Sequence, residues 1–209
     1  MEITHLGHAC FKIMGKQISV LTDPFDPEKV GLKLAKQDAD VVTVSHDHFD
    51  HNCLEILKSE YLLLDSPGEY EIRESEFIGV FADHDEQKGQ ERGQITIFTM
   101  EIDDIKICHL GDLGTDLNSE QLDKIDGVDI LLIPVGGKTT IDAKTAVKII
   151  NQIEPKIVIP MHYADGKMTD FSPLSVFLDE MGVSPMPLEK LKITTSNLPE
   201  EMEVVVLKY

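Results

Sequence analysis

The residues of this sequence that could carry chemistry are concentrated in one short segment, 45–52, which reads Ser-His-Asp-His-Phe-Asp-His-Asn. Its potential ligands form a His-x-His-x-Asp-His pattern: His46, His48, Asp50 and His51. Imidazole and carboxylate groups are ligands that zinc takes in proteins. Four such groups in six residues exceed what one tetrahedral ion normally accepts from a single segment, so the pattern indicates two metal ions. The alternative is a solvated polar loop that is rich in histidine by chance.

Three weaker signals lie elsewhere in the chain, each near the end of a predicted strand. The residues concerned are His84, Asp112 and His162. Binding and catalytic residues gather in loops that a rigid scaffold positions. Taken alone, each of the three has an ordinary alternative as a surface-loop or turn residue. As isolated signals they are weak.

The elements that must position these residues are mostly strands, because short apolar runs recur at regular intervals. The predicted strands are 2–5, 10–14, 18–22, 41–44, 61–64, 77–82, 95–102, 105–109, 130–133, 156–159, 190–193 and 204–207. Hairpin turns are predicted at 14–17 and at Asp103-Asp104.

Helices are fewer, and start and stop signals predict them at 118–125, from Asp142 to Pro155, from Pro173 to Gly182, and briefly after Asn52. Many strands come first and β-helix-β units follow in both halves. This mixture favours two packed sheets with helices outside. No linker or short repeat interrupts the chain, so residues 1–209 are predicted to form a single domain.

The histidine segment, placed directly after an apolar strand, resembles the signature of the metallo-β-lactamase superfamily. Further segments match that superfamily in order: Thr22-Asp23-Pro24, Asp83-His84-Asp85, His109-Leu110-Gly111-Asp112 and Pro160-Met161-His162-Tyr163. The chain is most similar to the short, single-domain Zn-dependent (metal-dependent) hydrolases of this fold, which also share Leu6-Gly7-His8 and Ile133-Pro134-Val135-Gly136-Gly137. The resemblance covers essentially the whole chain. It implies an α/β fold, the αββα four-layer sandwich, with two mixed sheets, helices outside and metals at one edge.

The same resemblance implies seven metal ligands, and every position carries its ligand in this sequence. The expected ligands are His46, His48 and His84 for one ion, Asp50, His51 and His162 for the second, and Asp112 as a bridge. Two divalent ions are therefore the expected cofactors. Zinc is the expected metal, with manganese or iron as alternatives, because selection depends on availability as well as on ligand type.

Such a centre predicts a binuclear metal-dependent hydrolase that uses a metal-bound hydroxide as nucleophile. Asp50 would orient the hydroxide and accept its proton, which makes it the expected catalytic residue. Two carboxylates neutralise only half the charge of two divalent ions, so an anionic or strongly polarised small-molecule substrate is expected. A phosphodiester, a lactone or a similar ester meets this description.

Charge and composition exclude several other classes of protein. Nineteen Lys and Arg residues stand against 38 Asp and Glu residues, which gives a net charge of −19 and disfavours nucleic-acid partners. The chain has no apolar run near twenty residues and no signal-peptide pattern, so neither a membrane span nor export is expected. Three cysteines are interpreted as free thiols of a cytoplasmic protein, and a homo-oligomer is left open.

Two further residues could act at the centre without holding a metal. His8 could contact a metal ligand or the substrate, or could be a buried histidine bonded to backbone. Asp23 is expected to orient the loop that carries His46. His109 is expected to serve packing, and metal coordination by Cys53 is not favoured although its position leaves it open.

Two residues in the C-terminal part of the chain are predicted to contact the substrate. Lys138, which follows Gly136-Gly137, and Tyr163, beside His162, could bind an anionic group. A flexible surface turn is the alternative for this region. Two other functional classes stay open on the same scaffold: a non-catalytic metal- or ligand-binding module, and a di-iron redox protein.

Overall fold

Two mixed β-sheets, packed face to face, form the centre of the computed structural model, which describes residues 1–209. The strands in chain order are β1 (Glu2–Gly7), β2 (Cys10–Met14), β3 (Ser19–Thr22), β4 (Val41–Thr43), β5 (Leu62–Leu64), β6 (Gly68–Ile72), β7 (Ser75–Asp83), β8 (Gln94–Ile102), β9 (Ile105–His109), β10 (Ile130–Pro134), β11 (Ile157–Met161), β12 (Leu191–Lys192) and β13 (Glu203–Val204). The helices are α1 (Pro27–Val30), α2 (Ser119–Lys124), α3 (Ala143–Ile153) and α4 (Leu174–Met181).

Both sheets combine antiparallel and parallel pairs. The first has the order β12-β1-β2-β3-β4-β5, and the second has the order β13-β11-β10-β9-β8-β7-β6. In the first sheet the pairs β1–β2 and β2–β3 are antiparallel, whereas β3–β4 and β4–β5 are parallel. In the second sheet the antiparallel pairs run from β6 to β9, and the parallel pairs join β9, β10, β11 and β13.

The main core lies between the two sheets. Twenty-three buried apolar side chains form one cluster there, with Phe11 from the first sheet and Phe77 and Phe98 from the second. Burying one large apolar side chain of this kind stabilises the folded state by roughly 1.5–3 kcal/mol. Because the cluster draws on both sheets, it fixes their relative positions and therefore the edge that they share.

Helices cover the outer faces of the sheets. Helix α3 packs against the second sheet through Ala146, Ile149 and Ile150, whereas Val30 of α1 joins a cluster on the first sheet. The resulting four layers confirm the predicted αββα sandwich. None of the four helices has the length and apolar content that crossing a membrane requires.

Local capping signals account for the helix starts. The Asp142 side chain accepts a hydrogen bond from the Thr145 N–H and begins α3, as predicted. Asn118 and Gln121 form a reciprocal capping box at α2. Each side chain satisfies a backbone N–H that the helix cannot pair internally.

The structure differs from the sequence prediction at several elements. Strand β6 and the short helix α1 were not predicted, and the stretch after Asn52 forms a single 3₁₀ turn at Leu54–Ile56. The two C-terminal strands are shorter than predicted, with two residues each in β12 and β13. Beyond β13, the chain pairs again only at Leu207, which forms an isolated parallel bridge with Leu188.

Candidate metal centre

The candidate centre lies where strands of both sheets end in the same direction. The chain leaves β1, β3 and β4 at one edge of the first sheet, and leaves β7, β9 and β11 at one edge of the second. The residues that follow these strands are His8, Asp23, the segment 45–52, His84, Asp112 and His162. The fold therefore brings together residues that are up to 154 positions apart.

A first group of ligand atoms consists of His46, His48 and His84. One ring nitrogen of each lies within 4.8 Å of the others. His46 Nε2 is 2.8 Å from His48 Nδ1, and the ring centroids of His46 and His84 are 4.7 Å apart. The structure thus brings together the three residues predicted to hold one ion.

A second group consists of His8, Asp50, His51 and His162, all of them buried. Their ligand atoms also lie within 4.8 Å of one another. Asp50 Oδ2 is 3.4 Å from His8 Nε2 and 3.9 Å from His51 Nε2. Three of these residues were predicted as ligands of the second ion. His8 was predicted to contact a metal ligand or the substrate, or to be a buried histidine bonded to backbone, and the structure places it in this group.

Asp112 lies between the two groups. Its Oδ1 is 3.2 Å from His51 Nε2, whereas its Oδ2 is 3.1 Å from His162 Nε2 and 3.6 Å from His84 Nε2. One carboxylate therefore faces the first group through His84 and the second through His51 and His162. This is the placement that a bridging ligand requires.

Asp23 holds two residues of the histidine segment in place through hydrogen bonds. Its Oδ1 accepts from the Ser45 N–H at 2.7 Å, and its Oδ2 accepts from the Ser45 hydroxyl at 2.6 Å and from His51 Nδ1 at 2.8 Å. Ser45 Oγ also lies 2.9 Å from His46 Nδ1. A carboxylate that fixes the far nitrogen of a histidine sets the ring orientation and raises its basicity as a ligand. Asp23 thus orients His51 directly and reaches His46 through Ser45.

Two glycines allow the backbone to pass close to the ligands. A Cβ at Gly114 would lie 2.3 Å from the His84 carbonyl carbon and oxygen, and one at Gly136 would lie 2.2 Å from the His162 carbonyl oxygen. Neither contact is compatible with a side chain. Gly136 belongs to the predicted family motif, whereas no sequence pattern indicates a role for Gly114.

Asp85 anchors the loop that follows His84. Its two carboxylate oxygens accept four backbone N–H groups, from Gln87, Gly89, Glu91 and Arg92. Burial raises the pKa of this carboxyl, but the four backbone donors more than offset that effect and hold the pKa below its usual value. The sequence predicted no role for the Asp85 carboxylate, and its position next to His84 is the one signal that could have indicated it.

His109 is a packing residue, as its surroundings show. Its Nε2 donates to the Ala9 carbonyl at 2.9 Å, and its Nδ1 accepts from the Gly111 N–H at 3.2 Å. His109 is fully buried and uses both ring nitrogens for backbone contacts. It fixes the turn that leads to Asp112.

The charges of the centre are set by burial and by close pairs. Burial lowers the pKa of His46 to about 3, so its imidazole is neutral. Burial also disfavours the charged form of His51, yet Asp112 and Asp23 raise its pKa well above the ordinary value. Asp112 shows the reverse, because His162 and His51 outweigh burial and lower its pKa. A metal ion that binds His51 Nε2 would displace a proton, so metal uptake should release protons.

The residues present fit metal ligation. Several buried atoms at the centre have no hydrogen-bond partner: both ring nitrogens of His8 and of His162, His51 Nε2, His84 Nδ1 and Asp112 Oδ1. Leaving one buried polar atom unpaired costs about 1–3 kcal/mol. Converging nitrogen and oxygen atoms of this kind are ligands of zinc and of related divalent ions.

Lys138 and Tyr163 lie outside the two groups. Lys138 forms an ion pair with Asp170 and lines a polar cavity of about 730 Å³ that also includes His84 and Arg92. The aromatic neighbours of Tyr163 are His5 and Tyr209. Lys138 therefore lies at a cavity that also contains the candidate ligand His84. Tyr163 instead packs near the C-terminal residue Tyr209.

The cysteines have the environments of structural thiols. Cys10 and Cys108 are buried, and burial raises the pKa of each. The Cys53 thiol lies 3.6 Å from a Glu55 carboxylate oxygen. None of the three belongs to a group of converging ligand atoms.

Comparison with known proteins gives the family of this chain. The family model of the beta-lactamase superfamily domain matches residues 2–162, a range that contains every residue of the candidate centre. The chain therefore belongs to the beta-lactamase superfamily.

Individual relatives extend this finding. The chain is 33% identical over 184 residues to a UPF0173 protein of Pyrococcus abyssi, which covers 78% of this chain and 83% of that protein. It is 30% identical over 190 residues to a UPF0173 metal-dependent hydrolase of Thermococcus onnurineus, over 78% of this chain and 84% of the relative. A crystal structure from Thermotoga maritima, assigned as a Zn-dependent hydrolase of the metallo-beta-lactamase superfamily, matches with a TM-score of 0.82 and 35% identity, over 99% of this chain and 97% of that chain.

Proposed function

We propose that this protein is a hydrolase that binds two divalent metal ions at the candidate centre and cleaves a small ester-type substrate. The observation that carries this proposal is the pair of ligand groups joined by one carboxylate, Asp112. The activities named for the Thermococcus and Thermotoga relatives support the same chemistry.

The first ion would be held by His46, His48 and His84. The second would be held by Asp50, His51 and His162, with Asp112 shared between the two ions. Zinc fits the nitrogen-rich ligand set, and manganese and iron accept the same groups. Two such ions, when bound, supply a water molecule that ionises near neutral pH and polarise the bond to be cleaved.

Asp50 is the residue proposed to handle the proton of the reaction. It is about one-tenth exposed at its side chain, so it can reach both the buried ligands and an incoming substrate. Burial raises the pKa of Asp50, but the contact with His8 and the charge of His51 offset this effect and keep the carboxyl ionised. An ionised carboxylate at this position can orient a water molecule through Oδ2 and accept its proton.

The substrate is proposed to be a small anionic or strongly polarised molecule. The cavity beside His84 is polar, with one apolar residue among the sixteen that line it. Lys138 and Arg92 are outnumbered there by five carboxylates, from Asp85, Glu86, Glu91, Asp116 and Asp142. The lining therefore favours a polar molecule, and the preference for an anionic group rests on the two metal ions. An anionic group that bound Lys138 would have to replace Asp170. The net charge of −19 favours a small molecule over a nucleic acid. The predicted cytoplasmic location, single domain and absence of membrane partners stay predictions.

The test is hydrolysis by the zinc-loaded protein and by its Asp50→Asn variant, screened on chromogenic phosphodiesters, lactones and carboxylic esters. The wild type should hydrolyse one of these classes, and Asp50→Asn should lose hydrolysis by orders of magnitude because an amide cannot accept the proton. The matched control is Asp47→Asn in the same segment, because Asp47 is exposed and bonds only Asn52. This control should keep wild-type activity.

Two outcomes would contradict the proposal. If the loaded wild type hydrolyses nothing in the screen but binds a small ligand tightly, the protein is a binding module. If Asp50→Asn and Asp47→Asn retain equal activity, Asp50 is not the proton acceptor.

A further inference from the structure

Three buried histidines lie outside the predicted ligand set: His5, His8 and His109. His8 differs from the other two in the hydrogen bonding of its ring. Both of its nitrogens are buried and neither has a hydrogen-bond partner. By contrast, His5 Nε2 donates to the His8 carbonyl at 3.0 Å, and His109 uses both nitrogens. A buried imidazole with no partner is unfavourable unless another group occupies the space that it faces.

The group that His8 faces is the second set of candidate ligands. The His8 ring centroid is 4.1 Å from that of His162 and 5.1 Å from that of His51. Its Nε2 is 3.4 Å from Asp50 Oδ2, too far for a good hydrogen bond. The separation suits two ligands of one ion, because atoms about 2.0–2.2 Å from a shared five-coordinate metal lie roughly 3.0–3.6 Å apart at ligand–metal–ligand angles of about 90–120°.

The backbone holds this ring in place at a conformational cost. His8 has a φ of 54°, in the left-handed region that residues other than glycine rarely adopt. Its carbonyl accepts from the His162 N–H at 3.1 Å and from His5 Nε2. The position of His8 is thus tied to that of His162, a predicted ligand. Backbone strain that neighbouring contacts enforce in this way is characteristic of functional sites.

We propose that His8 is a direct ligand of the second metal ion, through Nε2, in addition to the predicted ligands. This inference rests on the binuclear centre of the proposed function. It gives the second ion three imidazoles, as at the first ion, together with Asp50 and the shared Asp112. The second ion then has five protein ligands, and its retention depends on the Gly7-His8 turn after β1.

The direct test is a crystal structure of the zinc-loaded wild type, with anomalous diffraction at the zinc edge to locate each ion. Ligation predicts about 2.0–2.1 Å between His8 Nε2 and the second ion. A distance above about 3 Å would overturn the proposal, since it exceeds any zinc–nitrogen bond.

The second measurement uses His8→Gly and His8→Asn, because both residues tolerate the left-handed backbone. Zinc binding is measured by competition with a chelator, with and without added imidazole. The affinity for the second ion should fall on the order of a hundredfold, as for loss of a ligand or its direct partner, and imidazole should restore it in His8→Gly. The matched control is Asp104→Gly, which makes the same backbone change at an exposed left-handed residue, with a φ of 62°, in the turn between β8 and β9. Its effect on the second ion should be much smaller and insensitive to imidazole.

Failure of this inference can be told apart from failure of the proposed function. If the wild type and His8→Gly bind two ions with equal affinity, His8 is not a ligand, but the binuclear centre stands. If the wild type binds fewer than two ions, the proposed function fails, and the inference fails with it.

Discussion

At the residue scale, the candidate centre depends on pairs in which one side chain fixes another. Asp23 is the clearest case, because it is fully buried and bonds both Ser45 and His51. Burial raises the pKa of Asp23, but His109, His51 and Ser45 together lower it below the ordinary value. Asp23 is therefore an ionised acceptor that keeps His51 Nε2 directed toward Asp112.

Asp23→Asn should weaken metal binding by about 10–100-fold, because loss of a ligand's orienting partner has effects of this size. Zinc affinity measured against a competing chelator checks this expectation. Asp40→Asn is the matched control, since Asp40 also bonds a serine and directly precedes strand β4, but it faces Arg73 rather than the centre. Equal zinc affinities for the two variants would show that Asp23 does not orient a ligand.

At the element scale, the strand ends place the ligands, and the connecting loops have little room to shift. Gly114 shows this constraint most sharply, because its backbone passes directly against the carbonyl of His84. Its φ lies outside the left-handed region, so the effect of a side chain there is purely steric.

Gly114→Ala should therefore displace His84 and reduce zinc bound at the first site, with the second site less affected. Metal content per chain after loading and desalting is the measurement. Gly127→Ala is the control, because a Cβ there meets nothing within 4 Å although the φ of 73° makes it mildly strained. A Gly114→Ala protein that binds zinc like Gly127→Ala would show that the close approach does not control the site.

Much of the architecture could be predicted from the sequence, because strand type and helix caps are local signals. The predicted strands near the centre and the caps at Asn118 and Asp142 are confirmed. Strand β6 escaped prediction because its hairpin turn uses Arg73 and Glu74, both at positive φ, where glycine or asparagine is the usual signal.

The site was less accessible to sequence reasoning than the fold. The spacing within residues 45–52 predicts ligands by itself, but His84, Asp112 and His162 were identified through the family resemblance. The place of His8 among the ligands depends on how β1 lies beside β11 at the shared edge, which no local pattern records. The four N–H groups gathered by Asp85 likewise depend on a loop conformation that only the structure gives.

At the scale of the whole molecule, buried neutral histidines link stability to pH. Burial lowers the pKa of His5 to about 4, and that of His109 is also lowered by burial. Unfolded histidine titrates near pH 6.5, so below that pH the unfolded chain binds more protons than the folded one. His51 has a raised pKa, and its contribution is already complete below pH 6.5. Stability should therefore fall as the pH drops from 6.5 toward 4.

Urea unfolding of the metal-free protein at pH 7 and pH 5 tests this expectation. His5 alone should contribute a decrease of about 2 kcal/mol in the unfolding free energy between these two values. The control is His5→Phe, which keeps an aromatic ring against Phe11 and removes the titrating group. The difference between the two pH values should shrink in that variant. An unchanged difference would mean that His5 is not the source of the pH dependence.

The presence of two metal sites in the candidate centre can be decided by counting metals. The protein is loaded with zinc, desalted and analysed for zinc and protein by mass spectrometry of the elements. We expect two ions per chain in the wild type and one in each of His48→Ala and Asp50→Ala, because these residues belong to different groups. One ion or none in the fully loaded wild type would contradict this expectation.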